Sequence, residues 1–151
     1  MKRAVALQPL SHQHHNSLMA CLLISKGILK KANPDIISDF ITRLYRDDLQ
    51  PHFKKEEEIV FPALKNQAMK TLLQREHDTL SILAQRITTV HDYALMETFH
   101  KLLEQHVRFE ERVVFNNVQE LAGEDVLHKM EEGLKDSVAR KCSDYPHKFW
   151  E

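Results

Sequence analysis

Two segments of this 151-residue chain share a pattern in which a histidine precedes a glutamate by four residues. Residues 52–61 read HFKKEEEIVF and residues 106–115 read HVRFEERVVF, so both follow H-x-x-x-E-E-x-[IV]-V-F. In an α-helix, residues four apart lie about 40° apart around the axis and one turn apart in height. Each segment therefore predicts an imidazole and a carboxylate that project toward a common point: His52 with Glu56, and His106 with Glu110.

A lone histidine precedes each of these segments, so the chain reads as two helix pairs of one design. Residues 15–18, HNSL, parallel residues 77–80, HDTL. This alignment favours His15 as the counterpart of His77. His14 stays open as the alternative, because it also lies within about 60° of the apolar stripe predicted for the first helix.

Helical periodicity of about 100° per residue predicts which of these side chains face a core. The predicted core positions of the two repeated segments include His52, Glu56, Ile59, His106, Glu110 and Val113. Glu57 and Glu111 are predicted to point away from the core. Substituting either of these two glutamates should therefore be nearly silent.

Two carboxylates and four imidazoles in an apolar core require a positive charge, because an unpaired buried carboxylate is very costly. Only Lys26 and Lys55 are predicted to lean toward the core faces. Imidazole and carboxylate without thiolate suit iron, manganese or zinc. Two carboxylates able to bridge, with two histidines for each ion, predict a dinuclear centre. A metal-free bundle with structural histidines is the alternative.

The elements that must position these residues are helices. Asp35 is a predicted cap for the second helix, and Pro51 is predicted to kink that helix or to restart it. Apolar periodicity predicts four long helices and a short fifth one, over about residues 11–31, 36–64, 68–90, 94–121 and 124–135.

The fold class follows from these helices and from the scarcity of turn residues. Three glycines and five prolines are too few for an all-β fold. The prediction is an all-α, up-down four-helix bundle with a short fifth C-terminal helix. The length predicts a single domain over residues 1–151, with the bundle over about 10–121 and the C-terminal helix and tail over 122–151.

Composition argues against several classes of protein. Lys and Arg number 21 against 22 for Asp and Glu, a formal charge of −1 that argues against nucleic-acid binding. No apolar run approaches the roughly 20 residues of a membrane span, and the start of the chain is too short for a signal peptide.

Cys21 and Cys142 lack CxxC spacing, which predicts a reducing, cytoplasmic location. Cys142 is a candidate redox-active thiol, and Trp150 is either a docking anchor or an interface residue.

Over about residues 10–121 the sequence resembles a hemerythrin-like (HHE) domain. The resemblance rests on the duplicated H-x3-E-E pattern and on Phe61-Pro62-Ala63-Leu64 after its first copy. It implies a four-helix bundle with a non-haem di-iron site, in which two glutamates bridge the irons. The ligands that the resemblance implies are His15, or His14 in its place, with His52, Glu56, His77, His106 and Glu110.

The resemblance also narrows the expected function. Oxygen-carrying hemerythrins add a fifth histidine four residues before the third-helix ligand, and Leu73 occupies that position here. The sequence therefore favours a symmetric site with four histidines and two glutamates. Relatives with such a site resemble sensors of iron or oxygen, nitric-oxide-responsive proteins or iron–sulfur repair proteins.

The expected function is a non-haem di-iron protein that binds or senses oxygen or nitric oxide, with zinc or manganese as possible substitutes for iron. The alternatives are an iron donor or store, an iron–sulfur repair protein, and a di-iron oxidoreductase acting on a small oxidant. Because nothing in the sequence marks a substrate pocket, binding or sensing is favoured over catalysis. The expected partner is the diatomic ligand, with no nucleic acid and no membrane.

Overall fold

The computed structural model describes residues 1–151 and contains helices and connecting loops without a β-strand. The all-α prediction is therefore confirmed. No helix combines the length and the apolar character needed to cross a membrane. The α-helices are α1 Gln8–Leu29, α2 Pro34–Leu44, α3 Gln50–Lys55, α4 Gln67–Ile87, α5 Tyr93–Phe109, α6 Phe115–Leu121 and α7 Glu124–Leu134.

Three π turns join some of these helices end to end. They span Tyr45–Leu49, Glu56–Val60 and Glu110–Val114. In each, the backbone N–H that follows the turn donates to the carbonyl five residues earlier, as Phe61 does to Glu56. The π turns make one continuous stretch of α2 and α3 and another of α5 and α6, so the chain has five helical stretches. A π turn inside an α-helix often marks a functional site.

Side-chain caps begin three of the long stretches. The Asn33 side chain accepts a hydrogen bond from the Asp35 N–H at 2.9 Å, and Pro34 occupies the first turn, where a missing N–H costs nothing. Asn66 and Asp92 cap α4 and α5 in the same way. The prediction of Asp35 as the cap is wrong, because Asn33 holds that position.

Pro51 lies in the first turn of a new α-helix, which is one of the two outcomes predicted for it. It is the second residue of α3, the helix that follows the π turn Tyr45–Leu49 directly. Proline lacks an N–H and its ring clashes with the carbonyl four residues earlier in a regular α-helix. The wider turn before Pro51 carries the helix past the proline, so that His52 and Glu56 remain on one helical stretch.

The apolar core is divided into two clusters by a layer of buried polar residues. The larger cluster contains residues such as Ile24, Phe53 and Phe99, and the smaller contains residues such as Leu73 and Phe115. On α4, for example, His77 lies between Leu73 of the smaller cluster and Leu80 of the larger. The same order recurs on α1, and the reverse order, from the larger cluster to the smaller, recurs on both segments that carry H-x3-E. The buried polar layer therefore crosses the middle of the helices.

The C-terminal tail packs against the larger cluster. The Tyr145 hydroxyl donates to the Asp39 carboxylate at 2.7 Å, and Trp150 packs partly buried beside Phe40. A Cβ at Gly27 would lie 2.5 Å from a Phe149 ring carbon, so only glycine fits there. Trp150 is thus a docking residue in this structure.

The Cys142 thiol lies in the same tail and is buried. Burial raises the pKa of Cys142 to about 11, so the group stays a thiol near neutral pH. A thiol is much less nucleophilic than a thiolate. This environment argues against the redox-active role considered for Cys142.

Candidate metal centre

Six side chains with metal-ligating atoms meet in the polar layer, and each is at most 3% exposed. They form two groups of four, within which the ligating atoms lie no more than 4.8 Å apart. Glu56 and Glu110 belong to both groups. We call the part with His14 and His52 the first end of the centre. The part with His77 and His106 is the second end.

Each glutamate lies between one histidine of the first end and one of the second. Glu110 Oε1 is 3.2 Å from His14 Nε2 and 3.0 Å from His106 Nε2. Glu56 Oε1 is 3.3 Å from His52 Nε2 and 3.2 Å from His77 Nε2. Both carboxylates are therefore placed to be shared between two neighbouring ions.

The outward nitrogen of every one of these histidines has its own hydrogen-bond acceptor. His14 Nδ1 lies 2.7 Å from Glu111, and His77 Nδ1 lies 2.7 Å from Glu57. These carboxylates accept a hydrogen bond from the Nδ1–H, which leaves the Nε2 lone pair free to face the centre. A partner of this kind orients a metal-ligating histidine and fixes its tautomer.

The other two histidines are held in the same manner by the residues that precede the lone histidines. His52 Nδ1 donates to Gln13 Oε1 at 2.7 Å, and His106 Nδ1 donates to Glu76 Oε1 at 2.8 Å. Gln13 comes directly before His14, and Glu76 comes directly before His77. The two ends thus follow one design, with an amide in one and a carboxylate in the other.

Most of the atoms that face the centre lack a hydrogen-bond partner, and the exceptions are His14 Nε2 and His52 Nε2, which lie 3.0 Å apart. Both carboxylate oxygens of Glu56 and of Glu110 are buried and unpaired, as is Nε2 of His77 and of His106. Neither glutamate forms an ion pair with a lysine or arginine. Buried charges in proteins are paired or bind metal ions. The donor set of imidazole nitrogen and carboxylate oxygen fits iron, manganese or zinc.

The two lysines predicted to lean toward the core do not neutralise these carboxylates. Lys26 is exposed on α1. Lys55 is half-buried, and its ammonium donates to the Gly133 carbonyl at 3.2 Å. The positive charge in the centre must therefore come from metal ions or from protons on the histidines.

Protons compete for the same atoms. Burial opposes the charged form of His106, but the Glu110 carboxylate outweighs burial and raises the pKa of His106 to about 10. The pKa values of His14 and His77 are also raised, because their carboxylate neighbours outweigh burial. Burial opposes the charged form of Glu56 too, yet the nearby histidines hold its pKa well below the usual value. Without metal, the carboxylates therefore favour protonation of neighbouring histidines, most clearly of His106.

Two of the π turns begin at the shared glutamates, and they change which of the following residues are buried. Val60 and Val114 are fully buried, whereas Val113 is 43% exposed and Ile59 is half-buried. The predictions of Ile59 and Val113 as core positions assumed a constant α-helical period. Because a π turn closes five residues on instead of four, the buried position moves one residue along the chain in both copies.

The structure places His14 in the centre and His15 outside it. His14 is 2% exposed, whereas His15 is exposed on the outer face of α1. The preference for His15 is wrong because it aligned Leu18 with Leu80. The buried residue three positions after His14 is Ser17, so Ser17 corresponds to Leu80 and His14 to His77. The other predicted residues, His52, Glu56, His77, His106 and Glu110, lie together as described.

Glu57 and Glu111 point away from the centre as predicted, but they contact histidines of the neighbouring helices. Glu111 also accepts from the Ser11 hydroxyl at 2.8 Å and lies 3.5 Å from the Arg3 guanidinium. Glu57 and Glu111 therefore hold ligating histidines in place, so the prediction that their substitution is nearly silent does not fit the structure. The second glutamate of each E-E pair is itself duplicated in the sequence, and that duplication was the available signal.

Comparison with known families gives one match. A family model described as Hemerythrin HHE cation binding domain matches residues 4–135 of the chain. This range contains all six central side chains and the four residues that accept hydrogen bonds from the histidine Nδ1 atoms. Neither a curated protein nor a solved structure matches the chain.

Proposed function

We propose a function on the premise that the chain belongs to the hemerythrin HHE cation-binding family, as the match over residues 4–135 shows. The protein is a non-haem di-iron protein that binds or senses oxygen or nitric oxide. Its helices form the up-down four-helix bundle with a short fifth helix that the sequence predicts. The observation that carries this proposal is the set of buried, unpaired carboxylate and imidazole atoms in the polar layer.

In this proposal, His14 and His52 hold one ion, and His77 and His106 hold the other. Glu56 and Glu110 bridge the two ions, which the distances of 3.0–3.3 Å from their Oε1 atoms to the histidine nitrogens support. Iron in nitrogen and oxygen coordination supplies a redox-active centre to which a small molecule can bind. The chain's own residues supply neutral imidazoles, held by their Nδ1 partners, and two shared carboxylates.

The surroundings of the centre favour a small, uncharged ligand. Leu73, at the position of the absent fifth histidine, is fully buried in the smaller apolar cluster. The Phe115 ring stacks on His14 with centroids 5.3 Å apart, and the Phe61 ring stacks on His77 at 5.4 Å. An apolar wall admits a diatomic gas at little cost, whereas a charged ligand would lose its hydration there.

The compartment proposed is the reducing cytoplasm, which two unpaired, buried cysteines support. Among the alternatives, an iron donor or store is favoured by a polar cavity that reaches His52. An oxidoreductase or repair enzyme would bind and turn over a substrate. Turnover of hydrogen peroxide or nitric oxide by the iron-loaded protein would identify that class.

The test is the visible spectrum of protein loaded anaerobically with ferrous iron and then exposed to oxygen or to nitric oxide. We expect a new absorption band after one of the gases, with stoichiometric and not catalytic consumption. Glu58→Ala, at an exposed residue beside the centre, serves as the control and should behave as wild type. An iron-loaded protein whose spectrum changes with neither gas would contradict the proposed ligand class.

A further inference from the structure

A polar cavity of about 400 Å³ lies beside the first end of the centre. Its lining is almost entirely polar or charged and includes His52, Gln13, Ser17, Asp48 and Lys55. The outer wall is the segment after α7, residues 136–140, in which Asp136, Val138 and Arg140 are exposed. The cavity therefore connects a buried candidate ligand with the solvent side of the molecule.

Gln13 connects His52 to this outer wall. Its Oε1 accepts from His52 Nδ1 at 2.7 Å, and its Nε2 donates to the Val138 carbonyl at 3.1 Å. Val138 is 76% exposed. His52 is thus held from outside by one neutral amide, and that amide is in turn anchored to an exposed segment.

The other three histidines are held more firmly. Each of them donates Nδ1 to a carboxylate, and a hydrogen bond to a charged acceptor is about twice as strong as a neutral one. His14 stacks on the Phe115 ring, and His77 stacks on the Phe53 ring with centroids 4.0 Å apart. A histidine can leave a metal ion only where it has room to rotate, and the cavity offers that room to His52.

We propose that His52 is the ligand through which the centre exchanges metal, by rotating into this cavity, and that Gln13 is the residue that positions it. This inference rests on the proposed metal centre. Of two bound ions, the one at the first end leaves first. Gln13 sets its rate of release, because breaking the hydrogen bond to His52 is the first step of the rotation.

The experiment measures release of Zn²⁺ from the full chain, loaded to two ions, after mixing with an excess of a chromogenic chelator. We expect two phases of about one ion each. Gln13→Ala should speed only the faster phase, by about fivefold for the loss of one neutral hydrogen bond. Gln13→Glu loses the donor to the Val138 carbonyl but gives His52 a charged acceptor, as Glu76 gives His106. Because a hydrogen bond to a charged acceptor is about twice as strong as a neutral one, this variant should slow that phase.

Two further variants complete the design. Glu76→Gln, the counterpart at the second end, should speed only the slower phase. Gln74→Ala removes a half-buried glutamine on α4 that donates to Asp78, away from the centre, and should change neither phase. The opposite effects of alanine and glutamate at position 13 separate positioning of His52 from general loosening of the fold, which would speed both phases in both variants.

Several outcomes would overturn the inference. Release of both ions at one rate would do so, as would a Gln13→Ala effect no larger than that of Gln74→Ala. A Gln13→Glu variant that releases metal as fast as Gln13→Ala would also contradict it. Failure of the wild-type protein to take up zinc at all would contradict the proposed metal centre itself, and this result is distinct from the other three.

Discussion

The two ends of the centre are built from duplicated residues and differ in how their histidines are held. At the second end, His77 and His106 donate to the carboxylates of Glu57 and Glu76. At the first end, Glu111 plays the same part for His14, but an amide, Gln13, holds His52. Of the five pairs of corresponding residues, only Gln13 and Glu76 thus differ in charge. A duplicated design can therefore make two unlike metal positions by changing the partners of the ligands and leaving the ligands alone.

Substitution of a shared glutamate should weaken metal binding at both ends of the centre. Glu56→Gln keeps the side-chain volume but removes the bridging charge, so we expect loss of both ions, by at least about a thousandfold in affinity, against the 10–100-fold typical of outer partners. Metal content after dialysis measures this. Glu58→Gln is the matched control on the exposed face of the same turn. Retention of one full ion by Glu56→Gln would indicate that the ends do not share this carboxylate.

Metal should raise the stability of the fold strongly. An ion that binds only the native state, at about a thousand times its dissociation constant, adds about 4 kcal/mol. That corresponds to about 10 °C in Tm for a chain of this size. Thermal melts of metal-free and loaded protein measure the difference. Coincident melting curves at neutral pH would count against a buried centre.

The same difference in Tm should grow as the pH rises. The raised pKa values of His14, His77 and His106 stabilise the metal-free fold below about pH 6.5, the pKa of an unfolded histidine. That stabilisation is lost as the pH rises toward about 10, the pKa of His106. A metal ion binds only neutral imidazole. The stabilisation by metal should therefore grow over the same pH range in which the metal-free fold loses its own stabilisation. A Tm difference that shrinks between pH 7 and pH 9 would be the opposite of this expectation.

Substitutions of two adjacent histidines on α1 test which of them binds metal. His14→Ala should weaken binding of the ion at the first end by about a hundredfold or more and leave the ion at the second end in place, since an inner ligand should matter at least as much as its partners. His15→Ala, one residue along on the exposed face, is the control and should retain both ions. Chelator competition measures the two affinities. Equal losses in the two variants would mean that the register of α1 is misassigned.

Substitutions of the outer carboxylates should reduce metal affinity less, and each should affect the ion at one end only. Glu111→Gln should weaken the first end and Glu57→Gln the second, each by about tenfold, because such partners orient the ligating histidine. Competition titrations resolve the two ions. If both variants weakened the same ion, the crossed pairing of Glu111 with His14 and Glu57 with His77 would be wrong.

Much of the centre follows from side-chain type and helical period. The duplicated H-x3-E pattern predicts the buried positions of His52, Glu56, His106 and Glu110, and the all-helical fold follows from the same periodicity. The choice between His14 and His15 required the alignment of a buried serine with a leucine. Serine is polar and leucine is apolar, so an alignment by hydrophobic pattern places the repeat one residue out of register.

Two other features could not be predicted from a constant α-helical period. The π turns at Glu56 and Glu110 shift burial from Ile59 to Val60 and from Val113 to Val114, and such turns leave no fixed residue signal. The amide of Gln13 matters because the C-terminal segment crosses above it, and that segment has no periodicity from which to place it. Contacts between residues distant in sequence therefore create the difference between the two ends.

The metal content of the purified chain tests the central claim most directly. The protein should be produced with ample iron, purified anaerobically without chelator, and analysed by mass spectrometry for all transition metals. Four imidazoles and two shared carboxylates predict close to two ions per chain. A correctly folded, helical protein that holds no transition metal under these conditions would contradict the account.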